Sequence, residues 1–157
     1  MRAAMRSMKP WLVSGAVLAV TMGAHAGEVV PSGDLQAVVG SYLEIQAKLA
    51  SDSIEGIKEP ADAMGVAAAR MGEPGAAIVT AAKAVGGASD LTSARAAFGP
   101  LSDAVIAAAK AEGFTGLDGV KIAFCPMVNQ SWLQKDEQIR NPYYGSGMLT
   151  CGEFKKR

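Results

Sequence analysis

The sequence predicts a mainly α-helical protein: an antiparallel bundle of about four helices with a short irregular or β-hairpin subdomain at its C-terminal end. Three observations predict it. From Ser32 to about Gly113 the chain is rich in alanine, and Leu, Val, Ile and Met recur at steps of three and four. Glycines, prolines and Ser/Asp clusters divide that run into four pieces joined by short connections. Beyond Val120 the helical spacing stops. Lys121 to Phe124 alternates, and Asn141-Pro142 and Gly145-Ser146-Gly147 are turn signals.

The first 26 residues stand apart from the fold. Arg2, Arg6 and Lys9 form a basic start, Trp11 to Gly23 is an uncharged and mostly apolar run, and Ala24-His25-Ala26 is a small-x-small cleavage site. That is the pattern of a secretory signal peptide, residues 1–26, cut after Ala26. The apolar run is shorter than the ~20 residues a membrane span needs, so no membrane insertion is expected after cleavage. Residues 27–157 are expected to form one helical domain in the periplasm, with 120–154 as its Cys/Met-containing C-terminal subdomain.

Within the bundle the first segment carries Leu35, Val38, Val39, Tyr42, Ile45 and Leu49 on one face, with Ser32 and Asp34 suited to its start. The second carries Ile54, Ile57, Ala61, Met64, Ala68 and Met71. Ser51, Asp52 or Ser53 is expected to cap it, Pro60 to kink or break it near Glu59, and Gly72 to stop it. The third is short, with Pro74 in its first turn, Ile78, Ala81, Ala82 and Val85 on one face, and Gly86-Gly87 at its close. The fourth starts at Ser89-Asp90 and carries Leu91, Ala94, Phe98, Leu101, Val105 and Ala108; Pro100 is expected to bend or split it. Met64 and Met71 lie seven apart on an apolar face, which is the place of core gap-fillers rather than metal ligands. Glu153 to Arg157 is a charged tail, of which Lys155-Lys156-Arg157 reads as solvated.

Charge and composition exclude several functions. Removing 26 of the 157 residues takes away three basic residues and no acidic ones, which leaves 131 residues with a net charge of −3. That balance argues against nucleic acid and against anionic membranes as partners. The only histidine, His25, falls within the signal. The mature chain therefore has no His for a catalytic triad or for the usual zinc and blue-copper sites. No paired-carboxylate motif or phosphate-binding loop is present, and no base stands near Cys125 to make it a nucleophile. The protein is expected not to be an enzyme.

What chemistry remains lies between Val120 and Phe154. Cys125-Pro126-Met127 and Met148-Leu149-Thr150-Cys151 each place a thiol beside a thioether. Folded together, Cys125, Met127, Met148 and Cys151 offer a soft four-sulfur set, which selects Cu(I) over Zn, Ca or Mg. The alternative is structural. In an oxidising compartment Cys125 and Cys151 form a disulfide, worth about 3–4 kcal/mol for a loop of this length if unstrained. Trp132, Tyr143 and Tyr144 serve either arrangement as walls or as a small core.

The succession FCPM, WL, IRNPYYG and MLTCGE resembles a bacterial periplasmic family known as domain of unknown function 3347, from about Leu35 to Phe154. The residues that carry the resemblance are Cys125, Pro126, Met127, Trp132, Asn141, Pro142, Tyr143, Gly145, Met148, Cys151 and Gly152. The spacer from Met127 to Trp132 is shorter than in many relatives. Related domains occur alone or attached to adaptor subunits of heavy-metal efflux pumps. The resemblance implies copper or silver handling, with components of a metal efflux system as partners.

Overall fold

The computed structural model describes residues 32–157, and the expected signal peptide lies outside the described residues. Four helices and a small sheet make up the described part, as the helical periodicity and the change after Val120 predict. Helix α1 is Ser32–Ala50, α2 Lys58–Arg70, α3 Ala76–Gly86 and α4 Leu91–Ala111; strand β1 is Lys121–Cys125, β2 Gln130–Gln134 and β3 Glu153–Lys155. Each helix packs on the next, and α1 also meets α4, which closes the bundle. The faces predicted to be apolar are buried: Leu35, Val38, Val39, Tyr42, Ile45 and Leu49 on α1, Ile78, Ala81, Ala82 and Val85 on α3, Phe98, Leu101 and Val105 on α4. Met64 and Met71 are fully enclosed in the same core. No helix among the described residues is long and apolar enough to cross a membrane.

Two expectations about proline are corrected. Pro60 neither kinks nor breaks a helix that began earlier, because α2 starts only at Lys58. Pro60 is its third residue, in the turn whose amides have no intrahelical acceptor, so the missing N–H costs nothing there. Ile54 and Ile57 pack from the preceding connection. None of Ser51, Asp52 and Ser53 caps α2, whose N-cap is Ile57 without a side-chain bond. Their oxygens are used elsewhere: Ser53 Oγ takes the Glu55 amide, Ser51 Oγ the Arg140 guanidinium and Asp52 the Arg95 guanidinium. Pro100, in turn, does not split α4, which is continuous from Leu91 to Ala111. Pro100 and Ala96, whose carbonyl loses its partner, both lie on the exposed side. The orphaned carbonyl thus lies on the side open to solvent, while Phe98, Leu101 and Val105 hold the inner face. Asp90 caps α4 as expected, in a reciprocal box with Ser93. Pro74 sits in a short 3-10 turn, Glu73–Gly75, that leads into α3.

The sheet has the order β2-β1-β3, antiparallel throughout. β1 and β2 form a hairpin with Cys125 opposite Gln130 and Ala123 opposite Trp132. The charged tail is not solvated along its whole length. Glu153–Lys155 pairs with β1, Phe124 opposite Glu153, and the Arg157 guanidinium donates to the Val120 carbonyl and lies 4.9 Å from the Phe114 ring centre. Charge alone did not reveal this strand, whose side chains stay exposed, with Phe154 beneath Lys121 and Lys155 over the Phe124 ring.

β2 packs on α4 and α1, and a buried polar-aromatic joint fastens it there. Tyr42 Oη lies 2.6 Å from Ser102 Oγ and accepts the Leu133 amide at 3.2 Å. Tyr143 Oη donates to Ser131 O at 2.9 Å and lies 3.2 Å from the same Ser102 Oγ. The rings of Tyr42 and Phe98 stack at 5.0 Å, and Tyr143 meets both Phe98 and Trp132. Burial holds both tyrosine hydroxyls protonated, well above the ordinary range.

Candidate functional site

The two cysteines meet at the end of the sheet. Cys125 is the last residue of β1, directly before the four-residue hairpin loop, and is buried; Cys151 follows the turn at Met148–Cys151 and is half-buried. Their sulfurs are 3.0 Å apart, and both are free thiols. Burial acts to raise the Cys125 thiol. Hydrogen bonds from the Cys151 thiol, from the Val128 and Met127 amides and from the Asn141 side chain outweigh it, so Cys125 lies below the ordinary thiol range. Cys151 is raised, first because it gives its hydrogen bond to Cys125 and then by burial. The two thiols thus titrate as a pair across their 3.0 Å contact.

Met127 and Met148 each stand on the turn beside their cysteine. Met127 is at the hairpin tip and 66% exposed, so its thioether faces solvent; Met148 is half-buried. Among the described residues no group of three or more His, Cys, Asp or Glu side chains gathers as a metal cluster.

The remaining signature residues build the wall of this site. Trp132 is fully buried and donates to Gln134 Oε1 at 2.9 Å. Asn141 is buried and ties the loop to the Cys151 turn: its amide donates to Leu149 O and its side chain to Cys151 O, both at 2.8 Å. Tyr143 joins the loop to α4 and β2 as described above. Gly152, at φ 143°, leaves room for a close approach. A Cβ there would stand 2.9 Å from Trp132 Cη2 and 3.0 Å from Phe124 O. Gly145, at φ 53°, lies under the Asp52–Arg95 pair, and a Cβ would collide with both. Pro126 is exposed in the hairpin loop, and Pro142 is buried with its carbonyl bound by Arg95.

Sequence reasoning missed the clamp that seats this loop on the bundle. Arg95 of α4 donates to Pro142 O at 2.8 Å, to Leu49 O at 2.9 Å and to Asp52 Oδ1 at 2.6 Å. Leu49 O, in the last turn of α1, also accepts the Asp52 amide at 3.2 Å. Asp52 also accepts the Ser146 amide at 3.0 Å, and Gln46 donates to Arg140 O at 2.7 Å. Hydrogen bonds from Ser146 and Arg95 bring the Asp52 carboxyl down to about 2. Gln46 had one readable signal, as a polar residue bordering the Tyr42–Ile45–Leu49 stripe; Arg95 and Asp52 had none. Compared with protein-family models, with curated proteins and with solved structures, the chain matches none.

Proposed function

We propose that this chain is an exported, non-enzymatic accessory protein of the periplasm that binds a soft monovalent metal ion, Cu(I) or Ag(I), in metal handling or efflux. Cys125 and Cys151 are the principal ligands, with Met148 and Met127 supplying thioethers. The observation that supports this most is the pairing of a buried, hydrogen-bonded Cys125 sulfur with a half-exposed Cys151 sulfur 3.0 Å away. A metal shared by two thiolates at ~2.3 Å each holds the sulfurs roughly 3.5–4 Å apart. The Cys151 turn, at the surface, is the part that moves outward to admit it. The resemblance of the FCPM to MLTCGE stretch to a periplasmic family points the same way.

The test is competition between reduced mature protein and a coloured Cu(I) chelator. Wild type is expected to withdraw copper, and Met127→Leu and Met148→Leu to compete less well while folding normally. Wild type that takes no copper even from a weak chelator rules the site out. Methionine variants that compete as well as wild type reduce it to the two thiols.

The second reading, a structural or interaction module closed by a Cys125–Cys151 disulfide, is favoured by the same distance. The sulfurs need approach by only about 1 Å to reach bonding separation, and an exported chain meets an oxidising compartment. Intact mass of protein taken from its own compartment, with and without thiol alkylation, separates the two: two additions mean free thiols and none means a disulfide.

A further inference from the structure

Asn141 has every polar group engaged. Its backbone N–H donates to Leu149 O at 2.8 Å and its carbonyl accepts the Gly145 amide at 3.0 Å. Its side-chain Oδ1 accepts the amides of Tyr143 at 2.8 Å and Tyr144 at 3.3 Å, and Nδ2 donates to Cys151 O at 2.8 Å. It is fully buried. One residue thus holds the Met148–Cys151 turn at two points, Leu149 O and Cys151 O.

On its C-terminal side Cys151 is held through Gly152, packed on Trp132 and Phe124 O, and through Glu153, which pairs with Phe124. It lies between helix-free turns, and its own amide closes only the local turn to Met148 O at 3.0 Å. The next regular element, β3, begins two residues later. Between Tyr144 and β3 the long-range backbone grip on the Met148–Cys151 turn is the pair of bonds from Asn141. We propose that Asn141 is the positioning residue of the thiol pair: it sets the separation of the two sulfurs, and with it their effective concentration toward each other. This rests on the reading of Cys125 and Cys151 as an acting pair, whether they hold a metal or close on themselves.

The test is made without metal. The reduced full chain is equilibrated anaerobically with glutathione. Protein dithiol and glutathione disulfide then give protein disulfide and two glutathione thiols, and the fraction closed is read by alkylation and intact mass. Asn141→Asp keeps the acceptor for the Tyr143 and Tyr144 amides and places a carboxylate oxygen against Cys151 O. Asn141→Ser keeps a smaller acceptor and no donor. The control is Gln134→Glu. Gln134 is an equally buried amide with four bonds, to Trp132, Asp136, Gln138 and Arg140, none of them on a cysteine.

Loss of the bond to Cys151 is expected to lower the equilibrium constant for closure about tenfold in both Asn141 variants. Gln134→Glu is expected to stay within about twofold of wild type. Asn141 variants that close as readily as wild type overturn the proposal, and so does a Gln134→Glu variant that loses as much. If both Asn141 variants fail to fold while Gln134→Glu folds, Asn141 maintains the fold and the proposal is likewise overturned. Copper competition is read separately, so failure of the metal reading leaves this result standing, and the reverse.

Discussion

Gly152→Ala is the sharpest test of how the thiol turn is packed. The added Cβ would lie 2.9 Å from Trp132 Cη2, 3.0 Å from Phe124 O and 3.4 Å from Ile139 Cγ2. Trp132 is fully buried and pinned through its ring nitrogen, and Phe124 O belongs to the central strand, so neither neighbour yields easily. The backbone adds to this, because φ at Gly152 is 143°, a region that alanine rarely adopts. Strain of about 1–3 kcal/mol from the backbone and about 1–3 kcal/mol from overpacking gives a loss of about 2–6 kcal/mol. For a chain of this size that is a fall in Tm on the order of 10 °C. Urea unfolding under reducing conditions keeps disulfide chemistry out of the measurement. Gly147→Ala is the matched control, since nothing lies within 4 Å of its Cβ position. If Gly152→Ala unfolds within about 0.5 kcal/mol of wild type, the close packing of Gly152 on Trp132 and β1 is wrong.

Further outcomes follow from the same contacts. Tyr42→Phe strips the Leu133 amide and Ser102 of a partner and is expected to cost about 1–3 kcal/mol in urea unfolding. Tyr143→Phe is expected to cost about 0.5–1.5 kcal/mol, and a double-mutant cycle should show the two coupled through Ser102. Met148→Leu preserves volume and is expected to change stability by less than about 1.5 kcal/mol, whatever it does to copper binding. The Asp52 carboxyl sits at about 2 in the folded protein against an ordinary 3.8. Its contribution is therefore complete above the ordinary value and is lost as pH falls through that interval. Urea midpoints measured from pH 5 down to pH 2 should fall less steeply for Asp52→Asn than for wild type, and equal slopes would remove the carboxylate from the clamp. N-terminal sequencing of exported protein is expected to begin at Gly27; a sequence beginning at Met1 in a membrane fraction would overturn the signal assignment.

The bundle was legible because its information is periodic. Each apolar stripe repeats at three and four, and a single face of Leu35, Val38, Tyr42, Ile45 and Leu49 suffices to orient α1. The meeting of Cys125 with Cys151 was legible as a pairing of types, though not the hydrogen-bond donors around Cys125, which come from a hairpin loop and from Asn141. The effect of each proline depends on where a helix begins and which side meets water, and neither is written locally: Pro60 falls in the first turn of α2, and Pro100 leaves α4 unsplit. β3 escaped notice because it contributes backbone rather than apolar side chains. The Arg95 clamp escaped for a related reason, since its partners are two carbonyls and an aspartate in loops distant in sequence.

The arrangement of the sheet also orders events in time. The central strand comes first in the chain and ends in Cys125, whereas Cys151 comes 26 positions later. A chain that emerges from its N-terminus can fold the β1–β2 hairpin within microseconds. The partner thiol then follows after an interval on the order of seconds at ordinary rates of synthesis. Throughout that interval Cys125 is the only thiol presented: its thiolate can attack a small disulfide and release one small thiol, and Cys125 of a neighbouring chain can then displace the second. Arrival of the Met148–Cys151 turn ends this exposure, so a delay in the C-terminal segment should appear as mixed disulfides and covalent dimers carried by Cys125 alone.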